Sequence, residues 1–131
     1  MNLDLSGKTA IVCGSTQGIG KATALQLAKM GANIVLVARD DVKLASVMDE
    51  LDISSGQKHN YIKADFTLPA ELKLRVETFI KENGPAHILV NNTGGPPGGP
   101  AIGAKTDEYT SAFNMHLISN QCLAQAVVEG M

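Results

Sequence analysis

The chain has 131 residues, of which 44% are hydrophobic and 18% charged, and its formal net charge is −2. This length suits one domain with its own core, and the near-neutral charge gives no basic surface for nucleic acid or an anionic membrane. No apolar run approaches the roughly 20 residues that span a bilayer, the opening residues predict no signal peptide, and no Cys/His spacing indicates a metal site. We therefore expect a cytoplasmic protein in which Cys13 and Cys122 are buried free thiols.

The first forty residues read as strand, glycine turn, helix and strand. The apolar run TAIVC at 9–13 predicts a strand, and a glycine-rich turn leads from it into a helix over 18–30. Gly31 ends this helix, and the β-branched run NIVLVA at 33–38 predicts a strand that is covered on both faces. On a 3.6-residue period, the predicted core face of the helix contains Ile19, Thr23, Ala24, Leu27 and Ala28.

The alternation continues with a predicted helix over 39–51, a weaker strand over 59–65, an amphipathic helix over 68–82 and a strand over 87–91. This β-α-β-α-β-α-β order implies parallel strands, right-handed crossovers and helices on both faces of the sheet. We therefore predict an α/β fold of the Rossmann type, a doubly wound parallel sheet with strand order 3-2-1-4, in one domain over 1–131.

A segment rich in glycine and proline follows the fourth strand. Residues 92–106 hold five of the 13 glycines and three of the five prolines. An interdomain linker has this composition, but only one more helix, predicted over 106–128, comes after it. A loop of this kind at the carboxyl end of a parallel strand is better interpreted as part of a binding site.

The turn after the first strand reads GSTQGIG, with glycines at 14, 18 and 20. A strand before it, a helix after it and a second strand ending about 20 residues later are the context of a dinucleotide site. Main-chain N–H groups at the start of the helix would then bind a pyrophosphate. A turn that serves packing alone is the alternative interpretation.

Three motifs in this order resemble the short-chain dehydrogenase/reductase family. They are the G-x-x-x-G-x-G turn, the Ala64-Asp65 pair that closes the third strand, and NNTG at 91–94, where Thr93 replaces the alanine of the family's NNAG. The opening LSGKTAIVCG is also similar, except that Cys13 stands where threonine is common, and the resemblance covers all 131 residues. It implies that the cofactor-binding residues are Gly14, Ser15, Thr16, Gln17, Gly18, Ile19, Gly20, Arg39, Asp65, Phe66, Asn92 and Gly94.

The end of the second strand distinguishes between the nicotinamide cofactors. An acidic side chain there would bind the ribose 2′-hydroxyl of NAD(H), but the chain has Arg39, whose guanidinium suits a 2′-phosphate. Gln17 stands where many NADP-dependent relatives carry a basic residue, and Asp40 and Asp41 offer Arg39 alternative ionic partners. We expect NADP(H) to be preferred, with NAD(H) as the alternative cofactor.

The resemblance implies hydride transfer between NADP(H) and a carbonyl or secondary alcohol, catalysed by a serine, a Tyr-x-x-x-Lys pair and an asparagine. Tyr61 is followed four residues later by Asp65 and Tyr109 by Phe113, so neither tyrosine begins that motif. We therefore expect 1–131 to be the NADP(H)-binding N-terminal half of a longer enzyme, inactive by itself. Members of the 3-oxoacyl-carrier-protein reductase type look most similar, and polyol, sugar and hydroxysteroid dehydrogenases stay open.

The last helix carries a second departure from the family's pattern. His116 stands at the position of the catalytic asparagine and is therefore a candidate catalytic residue. A buried histidine that hydrogen-bonds a main-chain carbonyl is the equal alternative. The helix face that includes His116 is predicted to contain Tyr109, Phe113, Asn120, Leu123 and Val127. A second apolar strip is formed by Met115, Ile118 and Cys122.

Two apolar strips on one helix predict burial on both sides. In the family this helix forms the main dimer contact, so we expect a homodimer or homotetramer through 106–128. Two other classes of function stay open. A nucleotide-binding or regulatory module without catalysis fits the missing Tyr-x-x-x-Lys and the replacement at His116. A scaffold held together by the last helix alone would bind no nucleotide.

Overall fold

The computed structural model describes residues 1–131, and its four strands form one parallel sheet in the order β3-β2-β1-β4. The predicted topology is therefore confirmed. The central pair runs in register from Thr9 opposite Asn33 to Cys13 opposite Val37. The strands are β1 Thr9–Cys13, β2 Asn33–Ala38, β3 Asn60–Lys63 and β4 Ile88–Val90.

Five α-helices connect and follow the strands, and local signals set their ends. Asp40 caps the second helix by accepting a hydrogen bond from the main-chain nitrogen of Lys43 at 3.0 Å, and Pro69 occupies the first turn of the third. None of the helices combines the length and hydrophobicity that crossing a bilayer requires. The helices are α1 Gly18–Lys29, α2 Asp41–Glu50, α3 Pro69–Asn83, α4 Thr106–Phe113 and α5 Ser119–Val127.

The sheet separates two hydrophobic cores, as expected of a doubly wound fold. Alternate residues of β1 enter opposite cores, because successive side chains of a strand point to opposite faces. Ala10 and Val12 pack with residues of α1 and α2, whereas Ile11 and Cys13 pack with residues of α3 and α5. Both faces of the central strands are therefore covered, which explains why β1 and β2 read as continuous apolar runs, whereas only Ile62 of the edge strand β3 is buried.

The prediction that Ile19 belongs to the core face of α1 is wrong. Ile19 is 77% exposed, whereas Ala24 and Ala28 are fully buried. The helix begins at the carboxyl end of β1, so its first turn extends past the sheet, and Ile19 borders a cavity there instead of the core. Leucine and alanine positions further along the helix do reach the sheet.

The predicted last helix is interrupted. A π-helical turn, Asn114–Ile118, separates α4 from α5. Such a turn holds more residues than an α-helical one, so it changes the phase of the side chains after it relative to those before it. Leu123 and Val127 are buried as predicted, but Tyr109 and Phe113, assigned to the same stripe, are 49% and 59% exposed.

Candidate functional site

A cavity of about 480 Å³ opens at the carboxyl end of the sheet. This is the edge where ligands bind in open parallel sheets, and the volume lies within the usual range of small-molecule sites. The cavity contains the residues predicted to bind the cofactor except Ser15, Gly20 and Asp65. Its lining consists of Gly14, Thr16, Gln17, Gly18, Ile19, Ala38, Arg39, Asp40, Lys43, Phe66, Asn92, Thr93 and Gly94.

The three glycines of the turn are needed for different physical reasons. A Cβ on Gly14 would lie 2.6 Å from the main-chain oxygen of Asn92, and a Cβ on Gly20 would clash with the main-chain oxygen of Gly14. These two glycines permit close packing of the turn. Gly18 has a φ of +57° and no atom within 4 Å of an added Cβ, so its bare backbone borders open space.

The turn presents a series of free hydrogen-bond donors. The main-chain N–H groups of residues 15–20 have no acceptor within the protein, and the first bonded amide is that of Lys21, which donates to the oxygen of Gln17 at 3.3 Å. Gln17 is the N-cap of α1 and makes no side-chain capping bond. Unpaired amides at the positive end of a helix dipole form an anion-binding site.

Ser15, Cys13 and Asn92 support the turn from beneath. The buried hydroxyl of Ser15 accepts a hydrogen bond from the main-chain nitrogen of Val37 at 3.1 Å, so its side chain is engaged in the fold. The side-chain amide of Asn92 donates to the oxygens of Cys13 and Gly14 at 3.3 and 3.4 Å. Burial raises the pKa of the Cys13 thiol to about 12, so the group stays protonated and acts as an apolar filler.

Arg39 makes no ion pair within the protein. The two acidic residues that follow Arg39 in the sequence have other partners: Asp40 caps α2 and lies 3.9 Å from the ammonium of Lys43, and Asp41 lies 3.4 Å from that of Lys63. Neither Asp40 nor Asp41 therefore forms the ion pair with Arg39 that the alternative interpretation would require. The exposed guanidinium is available to a ligand at the edge of the cavity.

Asp65 lines a smaller cavity of about 80 Å³ that it shares with Arg39 and Gly94. One carboxylate oxygen accepts from both the main-chain nitrogen and the hydroxyl of Thr67, at 2.8 and 2.7 Å. Partial burial opposes ionisation, but these two bonds and the charge of Arg39 outweigh it and hold the pKa of Asp65 below its usual value. The second carboxylate oxygen has no protein donor and remains free to accept one.

His116 lies in the π turn and contacts the loop that follows β4. Its Nδ1 is 2.6 Å from the hydroxyl of Thr93, so its partner is a side chain and not the main-chain carbonyl of the alternative interpretation. Asn120, the other polar residue of the predicted stripe, has a buried side-chain oxygen without a partner.

Four cavity residues were not among the predicted binding residues: Ala38, Asp40, Lys43 and Thr93. Lys43 lies in the first turn of α2, four residues after Arg39, and both cations line the same cavity. In the sequence, Thr93 differs from the alanine of NNAG, but nothing nearby indicates a role for its hydroxyl. Its contact with His116 joins residues 23 positions apart and had no local signal.

Comparisons with known proteins agree with this geometry. The family model for short chain dehydrogenases matches residues 8–131. L-rhamnose 1-dehydrogenase (NADP(+)) of Thermoplasma acidophilum is 32% identical over 129 residues, which is 98% of this chain and 51% of the relative. The chain spans about half the length of such relatives.

Solved structures of this family also match the whole chain over about half of their own length. L-sorbose reductase from Gluconobacter frateurii, complexed with NADPH and L-sorbose, superimposes with a TM-score of 0.90 at 33% identity over 100% of this chain and 50% of that chain. A 3-oxoacyl (acyl-carrier-protein) reductase from Agrobacterium tumefaciens with NADP bound gives 0.88 at 25% identity, covering 99% and 50%. By its sequence and by its fold, the chain belongs to the short chain dehydrogenase family.

Proposed function

We propose that residues 1–131 are the NADP(H)-binding part of an oxidoreductase that interconverts a carbonyl and a secondary alcohol in a small molecule. One observation carries this proposal: the unpaired amides of residues 16–19 and the unpaired guanidinium of Arg39 border the same cavity. When bound, the nicotinamide supplies or accepts the hydride. The residues of this chain bind and orient the nucleotide.

NADPH has two anionic groups, and the cavity has a place for each. The amides at the start of α1 suit the pyrophosphate, because they are donors at the positive end of a helix dipole. Arg39 and Lys43 suit the 2′-phosphate, since a guanidinium forms paired, charge-assisted hydrogen bonds with phosphate oxygens. Asp40 is also in the lining, but its carboxylate already caps α2 and faces the Lys43 ammonium. This arrangement favours NADP(H) over NAD(H).

The relatives support the same cofactor without fixing the substrate. L-sorbose reductase and the 3-oxoacyl reductase were solved with NADPH and with NADP. Their printed substrates share only a carbonyl or alcohol carbon, so the 3-oxoacyl thioester expected from the sequence is one proposed substrate and a keto sugar is another. We also propose that His116 takes part in catalysis in the whole protein and that the 106–128 region forms a subunit contact.

Fluorescence titration of the full-length protein with NADPH and NADH tests this function. We expect NADPH to bind more tightly, and we expect NADPH oxidation with either L-sorbose or a 3-oxoacyl thioester. If a protein with native circular dichroism binds neither nucleotide, the proposal is wrong. Tight NADPH binding without turnover on a panel of ketones would favour the non-catalytic nucleotide-binding module.

A further inference from the structure

The segment that follows β4 is held to the rest of the protein by very few hydrogen bonds. Residues 91–99 neither donate nor accept a main-chain to main-chain hydrogen bond. The side-chain bonds of Asn92 to the glycine turn are long, at 3.3 and 3.4 Å. The remaining bond joins the Thr93 hydroxyl to Nδ1 of His116 at 2.6 Å, and it is the shortest of the three.

This segment also forms one wall of the nucleotide cavity. Asn92, Thr93 and Gly94 line the main cavity, and Thr93 and Gly94 line the smaller cavity beside Asp65 as well. A wall with so few hydrogen bonds keeps one shape only if its side chains are anchored. The anchor for Thr93 lies in the π turn, a local irregularity of the kind that often occurs at functional sites.

The two partners of this bond are both at positions where the chain departs from the family's pattern, Thr93 in the NNTG motif and His116 in the last helix. The two side chains are suited as hydrogen-bond partners. A hydroxyl both donates and accepts, so it can pair with an imidazole nitrogen in either protonation state. Alanine at 93 would offer no partner to a histidine, so the replacements make physical sense together.

We propose that Thr93 and His116 are a coupled pair of positioning residues that fix the wall of the nucleotide cavity. The inference rests on the proposed nucleotide binding. Fixing the wall before binding removes part of the entropy cost of ordering it around the ligand. The pair therefore acts on NADPH affinity through the position of residues 92–94.

The test is a double-mutant cycle on the NADPH dissociation constant of the full-length protein. Thr93→Val removes the hydroxyl at constant shape, and His116→Leu removes the ring nitrogens. Each should raise the dissociation constant about three- to tenfold, as expected for one net hydrogen bond, and the double variant should be no worse than either single one. If the increases in dissociation constant of the two single variants multiply in the double variant, the two residues are not coupled and the proposal is wrong. The proposal is also wrong if Thr93→Val binds NADPH like the wild type.

Two conservative variants and one control make the result specific. Thr93→Ser keeps the hydroxyl and His116→Asn keeps a polar atom near the place of Nδ1, so both should bind NADPH within about twofold of the wild type. Thr110→Val removes a hydroxyl of α4 that bonds only within its own helix, and it should leave affinity unchanged. A purely structural role would lower thermal stability in Thr93→Val without changing affinity. If the wild type itself does not bind NADPH, the proposed function fails and not the pair alone.

Discussion

Replacing Arg39 tests the cofactor preference directly. In Arg39→Asp the cavity loses a guanidinium that no carboxylate of the protein occupies, and it gains a negative charge at the same place. Because the arginine has no ionic partner in the protein, its removal leaves no buried charge unpaired. The change should therefore act mainly on the ligand, and its cost to folding is limited to the lost attraction between Arg39 and Asp65 and the new repulsion between two carboxylates.

The magnitude follows from the bond that is lost. A hydrogen bond to a charged group contributes about 1.5–3 kcal/mol, which corresponds to roughly a 10- to 150-fold loss of NADPH affinity. NADH lacks the 2′-phosphate, and an aspartate at this place can accept a hydrogen bond from its ribose hydroxyl. NADH affinity should therefore stay the same or improve, and the preference should reverse.

Parallel fluorescence titrations with NADPH and NADH give the ratio of the two dissociation constants. The matched pair Arg39→Leu and Arg75→Leu separates the site from general charge effects, because Arg75 lies on α3 and is bonded to Glu71 at 2.9 Å. Only the Arg39 variant should change the ratio. An unchanged ratio in both Arg39 variants would show that the phosphate contact lies elsewhere.

Three further predictions concern residues around the cavity. Lys43→Met should weaken NADPH several-fold but leave NADH unchanged in the same titrations, and an equal loss for both cofactors would argue against a phosphate contact. Ser15→Ala leaves the buried Val37 N–H without its acceptor and should lower the free energy of unfolding in urea by about 1–3 kcal/mol. For Asp65 the folded pKa lies below the unfolded one, so its stabilisation is present above the unfolded value and lost as pH falls through the folded value. The stability difference between wild type and Asp65→Asn should therefore be largest near neutral pH and shrink below about pH 4, and a difference that grows in acid would contradict the assignment.

The fold and most of the cavity lining could be predicted from the amino-acid sequence. Short apolar runs and the 3.6-residue period depend on neighbours within a few residues, so they located all four strands and the first three helices. The glycine turn was recognisable because Gly14, Gly18 and Gly20 lie within seven residues, between a strand and a helix. Arg39 was predicted from its place at the end of β2, and the structure shows it without an ionic partner.

Features that depend on residues far apart in the chain could not be predicted in this way. A 3.6-residue period could not show that α1 extends past the sheet and leaves Ile19 exposed, or that the π turn changes the phase between Phe113 and Leu123. Asn92 reaches Gly14 across 78 positions and Thr93 reaches His116 across 23. Such contacts are set by how the elements pack, because local propensity carries no information about which side chains meet across the sheet.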